Sequence, residues 1–256
     1  MKEFFGFGGY TREAEGYLSW QHLLFVTSLV AVMIALAVVL GMKNRSKEDR
    51  IKNKVLIIAA LLIDGIELFK IVILCIRHED AFHWIYELPL FLCSIQLIAL
   101  PLAAFSKGRI KEAALDFVFI FGILGAILGT YGAGNNYAAY PVLSFDNVAS
   151  GITHSISGFS SLYIAISGMA SMKKKNIPIT FSILGVFCVL AYVSNIIIDY
   201  NYMFLMRADG TPYQILYDLL SGNPIAYPLG VVALFIVYIV LYYGIYYLST
   251  KKKAHA

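Results

Sequence analysis

Seven runs of predominantly apolar residues divide the chain: His22–Met42, Val55–Ile76, Trp84–Phe105, Leu115–Tyr131, Gly151–Ser171, Ile177–Ile198 and Ile225–Leu248. Each is close to the roughly 20 residues that a helix needs to cross the hydrocarbon core of a bilayer. The pattern therefore predicts an all-α, polytopic membrane protein built as a bundle of seven transmembrane helices. Residues 22–248 form the membrane domain, with a short external segment (1–21) before it and a basic cytoplasmic tail (249–256) after it. The opening segment MKEFFGFGGYTREAEGYLSW is polar, with no apolar stretch before a cleavage site, and reads as an external tail lying partly on the membrane.

The informative positions are the polar ones inside these runs, because such groups are costly in lipid and turn toward protein or a wet cavity. Span two carries Asp64, Glu67 and Lys70 at three-residue spacing, which places Glu67 and Lys70 to pair. In span three, taken as one continuous helix, Tyr86, Pro89, Cys93, Gln96 and Leu100 share a face about 80° wide, and Cys93 lies about 13 Å below the outer edge. Pro89 and Pro101 each remove a helical N–H. Span five presents Asn147, Ser150, His154, Ser157 and Ser161 on one face. Span six presents Cys188, Tyr192, Asn195 and Asp199 at spacings of four, three and four. These four faces are expected to converge on a polar pocket in the outer half of the bilayer. Span four differs: Gly122, Gly125, Ala126 and Gly129 make a small-residue seam that reads as helix packing alone, and Asp116 reads as an interfacial charge near Lys111.

Charge sets the orientation. The connections at 43–54, 106–112 and 173–175 and the tail carry fifteen Lys and Arg residues, whereas the alternate connections carry four. By the positive-inside rule the N-terminus is external and the C-terminus cytoplasmic. Composition agrees: 59% of the 256 residues are hydrophobic and 14% charged, for a mean hydropathy of +0.73. The net charge of +4 comes from the membrane anchors and does not point to nucleic acid. Three cysteines without a CxxC spacing indicate neither a disulfide framework nor a zinc site, and no metal or other cofactor is expected.

A thiol and an imidazole contributed by different helices at one depth are the minimum for nucleophilic acyl transfer. Cys93 and His154 are the candidate catalytic pair, with Glu67, Lys70, Gln96, Asn195, Asp199 and Tyr202 as supporting or substrate-binding groups. Gln96 or Asn195 would donate to the oxyanion. Two other readings of the same residues stand beside it. A transporter or small-solute or lipid-binding protein would use the Glu67–Lys70 pair as a gate, although no inverted repeat is visible. A structural protein would simply satisfy its polar core.

The segments IELFKIVILC and WIYELPLFLCSIQLIALPLAAF, a histidine in the fifth span, and NIIIDYNYMFLMRADGTPYQILYDLLSGNPIAYPLG resemble the YwaF family of bacterial integral membrane proteins. That family is similar to transmembrane protein 164, a lipid acyltransferase with a cysteine nucleophile. The resemblance runs from the second span to the seventh. It implies a multi-pass protein of the cell membrane, acting on membrane lipids (phospholipid or lysolipid), with Cys93 as nucleophile and His154 as its partner. It also implies a histidine in an LPLHLC pattern where this chain has Phe91.

Overall fold

The computed structural model describes residues 1–254, with side chains as far as Thr250, so the basic tail lies largely outside the described residues. Among them there are ten α-helices and no strand. In chain order these are α1 (Lys2–Phe5), α2 (Trp20–Asn44), α3 (Asp49–Arg77), α4 (Gln96–Phe105), α5 (Gly108–Thr130), α6 (Gly134–Ala139), α7 (Phe145–Ile166), α8 (Ile177–Ile198), α9 (Gln214–Leu219) and α10 (Ala226–Ala254). Four segments are long and apolar enough to cross a membrane: Trp20–Asn44, Gly108–Ala139, Lys174–Ile198 and Ala226–Thr250. The chain divides into two compact units, Met1–Ser171 and Met172–Ala256.

In the first unit, α7 is the central helix, and small residues let its neighbours approach. A Cβ at Gly151 would meet Leu29 at 2.8 Å, one at Gly158 would meet Met33 at 2.4 Å, and one at Gly41 would meet Ile166 at 2.8 Å, so α2 and α7 run parallel in close contact. Tyr163, fully buried, donates its hydroxyl to the Lys52 carbonyl and accepts from Asn44, both at 3.1 Å. Each such bond contributes about 1 kcal/mol net, and more would be lost by leaving a partner unpaired.

Helices α5 and α7 run antiparallel, with serine hydroxyls of α7 donating to carbonyls of α5: Ser161 to Phe119 at 2.7 Å and Ser157 to Gly122 at 3.4 Å. Gly122 permits this, since a Cβ there would lie 2.7 Å from the Ser157 carbonyl oxygen. At the far end of the zipper Asp116 is fully buried and accepts from the Ser171 amide and hydroxyl at 3.0 and 2.9 Å. It is not the interfacial charge that its neighbour Lys111 suggests. Lys111 instead reaches Asn53, which in turn donates to the Ala104 carbonyl at 2.7 Å and ties the start of α3 to the end of α4.

The third apolar run departs most from expectation. It is not one helix: a 3₁₀ turn at His83–Tyr86 is followed by irregular backbone to residue 95, and α4 begins only at Gln96. Pro89 cannot donate an amide and disfavours helical geometry at the residue before it. The chain turns there instead, with the Leu90 amide bonding the Leu88 carbonyl at 2.7 Å. The face shared by Tyr86, Pro89, Cys93, Gln96 and Leu100, and the depth counted along it, therefore do not exist.

The N-terminal segment is docked rather than loose. His22, fully buried, accepts the Leu18 amide at Nδ1 and donates from Nε2 to the Thr130 carbonyl, while Glu15 accepts the Val142 amide at 2.7 Å. Burial raises the Glu15 carboxyl, but that backbone bond and Arg12 hold it below its ordinary range.

In the second unit, Asn195 on α8 donates to the Tyr202 carbonyl at 3.0 Å and accepts the Tyr202 amide at 2.6 Å. Asn201 accepts the amides of Met206 and Arg207 and donates to Arg207 O and Asp209. These side chains hold a segment in which Asp199, Met203 and Phe204 all have left-handed φ, of 50°, 54° and 56°.

Candidate functional site

Inside the first unit lies a cavity of about 60 Å³, lined by Ile63, Glu67 and Lys70 of α3, by Cys93, Ser94 and Leu97 at and before the start of α4, and by Ser150, Thr153, His154 and Ser157 of α7. Its volume corresponds to about two water molecules.

The thiol reaches this cavity because the chain is irregular before α4. Cys93 occupies a turn in which the Gln96 amide bonds the Cys93 carbonyl at 3.3 Å and the Leu97 amide bonds the Ser94 carbonyl at 3.0 Å. The amides of Cys93 and Ser94 and the Ser94 hydroxyl all approach the sulfur. Donors so placed could serve an oxygen developing charge beside the sulfur.

The imidazole is placed by absence. None of the hydrogen bonds among the described residues fixes the His154 ring, but a Cβ on Gly129 would fall 2.1 to 2.3 Å from its Cδ2, Nε2 and Cγ atoms. One helical turn away on α5, a Cβ on Gly125 would lie 3.3 Å from the Cys93 Cβ and 3.9 Å from Ser157 Oγ. The glycine seam thus has a second duty besides packing: Gly125 and Gly129 make the space in which the thiol and the imidazole sit.

Lys70 bonds Glu67 at 2.6 Å, as the spacing predicts, and also Glu87 at 3.0 Å, a partner that the sequence pattern does not single out. Glu87 reaches it from the loop ahead of Pro89. With two carboxylates on one ammonium, the cluster carries a formal net charge of −1. Asp64, one turn earlier on α3, has a buried Oδ1 without a hydrogen-bond partner and does not line the cavity.

Four of the eight candidate site residues line this cavity: Glu67, Lys70, Cys93 and His154. Gln96 does not. It is fully buried with both amide atoms unpartnered, because the side chain at the first position of α4 points elsewhere once the preceding residues leave the helix. Asn195 and Tyr202 clamp each other in the second unit, and Asp199 terminates α8 in a left-handed conformation. None of the span-six stripe lines the cavity, and neither does Phe91. Among the polar lining residues, Ser94 and Thr153 lie outside the predicted stripes. Ser94 adjoins the cysteine directly; Thr153 follows from α7 periodicity, three residues from Ser150 and four from Ser157.

A family model, that of the TMEM164 family, matches residues 17–243. The chain belongs to the TMEM164 family. The match covers all three elements that line the cavity, and with the apolar helices it makes this an integral membrane protein. No curated protein and no solved structure matches the chain.

Proposed function

We propose that this member of the TMEM164 family is a membrane acyltransferase or transacylase that forms a thioester on Cys93. The observation that carries the reading is that one cavity is shared by Cys93, with three donors around its sulfur, and by His154, which no hydrogen bond commits to a structural role. His154 takes the thiol proton, and the sulfur attacks the carbonyl carbon of a phospholipid ester. The ester C–O bond breaks, and His154 returns the proton to the departing oxygen, releasing a lysolipid. The hydroxyl of a second lipid, deprotonated by His154, then attacks the thioester and regenerates the thiol. The Ser94 hydroxyl and amide take the oxyanion role expected of Gln96, since they approach the sulfur and Gln96 does not line the cavity.

The reading includes seven crossings with the N-terminus outside. Helix α4, at 10 residues, spans only about 15 Å, so irregular backbone must complete the third crossing. Such backbone is tolerated in a membrane where it lines a cavity or lies within protein, and residues 93 and 94 do line one. The α3–α7 and α5–α7 pairs are antiparallel and the α2–α7 pair parallel, as that alternation requires.

An alkyne-tagged acyl phospholipid should label the wild type in a hydroxylamine-sensitive manner and leave Cys93→Ala unlabelled, while His154→Ala should slow transfer about 10²- to 10⁴-fold. Full transfer by Cys93→Ala would end this mechanism. For topology, a cysteine at Lys47 should resist an impermeant reagent in intact cells and one at the exposed Asn136 should react; the opposite result would invert the map.

A further inference from the structure

A cavity of about 60 Å³ cannot admit a glycerolipid, so if the reading above holds, the substrate must come in where the wall can part. The wall between α3 and α7 differs from the rest. On α3, Ile66, Phe69 and Ile73 form a stripe beside the cavity-lining Glu67 and Lys70; on α7, Phe145 and Ala149 lie beside Ser150 and Thr153. The gap between these stripes is filled by the N-terminal segment. Phe5 and Phe7 pack against the cluster of Ile73, Phe145, Ala149 and Ile66. The Phe5 ring lies 5.1 Å from Phe145 and 6.2 Å from Phe69, and Phe4 lies 5.9 Å from Phe145.

This wedge is built to leave. Phe4 is 39% exposed, and Phe5 and Phe7 are only half-buried. Gly8 and Gly9 follow at φ of 83° and 89°, a bend that folds the chain back so that the Glu3 carboxylate accepts the Thr11 amide and hydroxyl and the Arg12 amide at 3.0, 2.8 and 3.1 Å. Beyond the bend the segment is pinned by Tyr10, which bonds Asp146, itself paired with Arg77 at 2.9 Å. The pin and the wedge are one unit, joined also by the Tyr10 hydroxyl donating to the Phe4 carbonyl at 3.4 Å, so the phenyl groups leave the seam when Tyr10 lets go. The outer flank of α3 beside the wedge is aliphatic and exposed at Leu68, Val72 and Ile76 (63%, 53% and 57%), as a surface against lipid chains would be.

We propose that the α3–α7 seam beneath the N-terminal segment is an access groove for one acyl chain of a membrane lipid, which displaces Phe5 and Phe7 and so brings its ester to the Cys93 cavity. The phenyl groups occupy the chain's place in the closed state. This rests on the acyl-transfer reading for its substrate class but is tested without catalysis. Cys93→Ala protein is reconstituted in phosphatidylcholine vesicles doped with phosphatidylcholine carrying a diazirine on one acyl chain, and the photo-crosslinked peptides are mapped. Crosslinks are expected on residues 66–73 and 145–149, rising several-fold when Phe5→Ala and Phe7→Ala are added. Tyr10→Phe, which leaves the aromatic cluster intact and only weakens the pin, should raise them by a smaller factor, so the test survives poor folding of the double variant. Crosslinks confined to other helices, or a seam yield that neither change alters, would overturn the proposal. Loss of thioester chemistry in the wild type would count against Cys93 while leaving the labelling pattern intact.

Discussion

Two polar clusters built from similar residues behave in opposite ways. Around Asn195 and Asn201 each side chain is matched to backbone groups, with amide nitrogens donating to carbonyls and amide oxygens accepting N–H groups. Around Cys93 and His154 the ion pair is satisfied, but the imidazole is bound to nothing and is held only by shape. Matched groups in a buried setting stabilise a conformation, here a loop with three left-handed residues. A buried reactive group without a partner is poor for stability and available for chemistry. The two clusters should therefore separate activity from stability when they are mutated.

The largest effect is expected at Gly129. An alanine methyl cannot fit beside the His154 ring, so Gly129→Ala should displace it and match His154→Ala, a loss of about 10² to 10⁴ in acyl transfer. Gly125→Ala, whose methyl would lie 3.3 Å from the Cys93 Cβ, a tight contact that a shift of a few tenths of an ångström relieves, should cost much less. Equal rates for wild type and Gly129→Ala would show that the ring position does not matter.

At the other cluster, Asn195→Ala should lower unfolding stability by about 1 to 3 kcal/mol, since it removes the two buried bonds from Asn195 to the Tyr202 amide and carbonyl, with transfer per folded molecule unchanged. Thermal unfolding in detergent alongside a rate normalised to folded protein would read both. A rate loss without destabilisation would return Asn195 to the catalytic site.

Gln96 tests the comparison from between the two. Its buried amide has no partner, so Gln96→Leu removes a desolvation cost and should stabilise by about 1 kcal/mol with no loss of rate. A fall in rate would restore the oxyanion role to it.

The smallest effect concerns the N-terminal pin. Burial, and then the bond to Asp146, raises the Tyr10 phenol from its ordinary value of 10.0 to about 12. Because the docked state favours the protonated phenol, docking is unaffected below pH 10 and is weakened as pH rises from there through about 12. Proteolysis after Arg12 should increase across that window in wild type and show no such step in Tyr10→Phe.

Much of this was legible in the chain. Apolar runs gave the helices, three-residue spacing gave the Glu67–Lys70 pair, and the α7 stripe put His154 among Ser150 and Ser157. The third run misled because twenty apolar residues look the same whether or not the helix through them is continuous, and because one proline leaves open whether the chain kinks or unwinds. That one ambiguity misplaced Gln96, hid Glu87 and disguised the irregular segment that carries Cys93.

What the sequence determines by itself is therefore whatever local periodicity and transfer energy fix: helical class, membrane residence, and which face of a regular helix is polar. It does not determine which polar faces meet. Asn195 and His154 have equal claims as intramembrane polar residues, and only the fold pairs one with a backbone loop and leaves the other beside a glycine. The deciding interactions join residues far apart in the chain, Gly129 to His154, Lys70 to Glu87 and Phe5 to Phe145. Their energies depend on distances of a few ångströms that no periodicity within a single helix encodes.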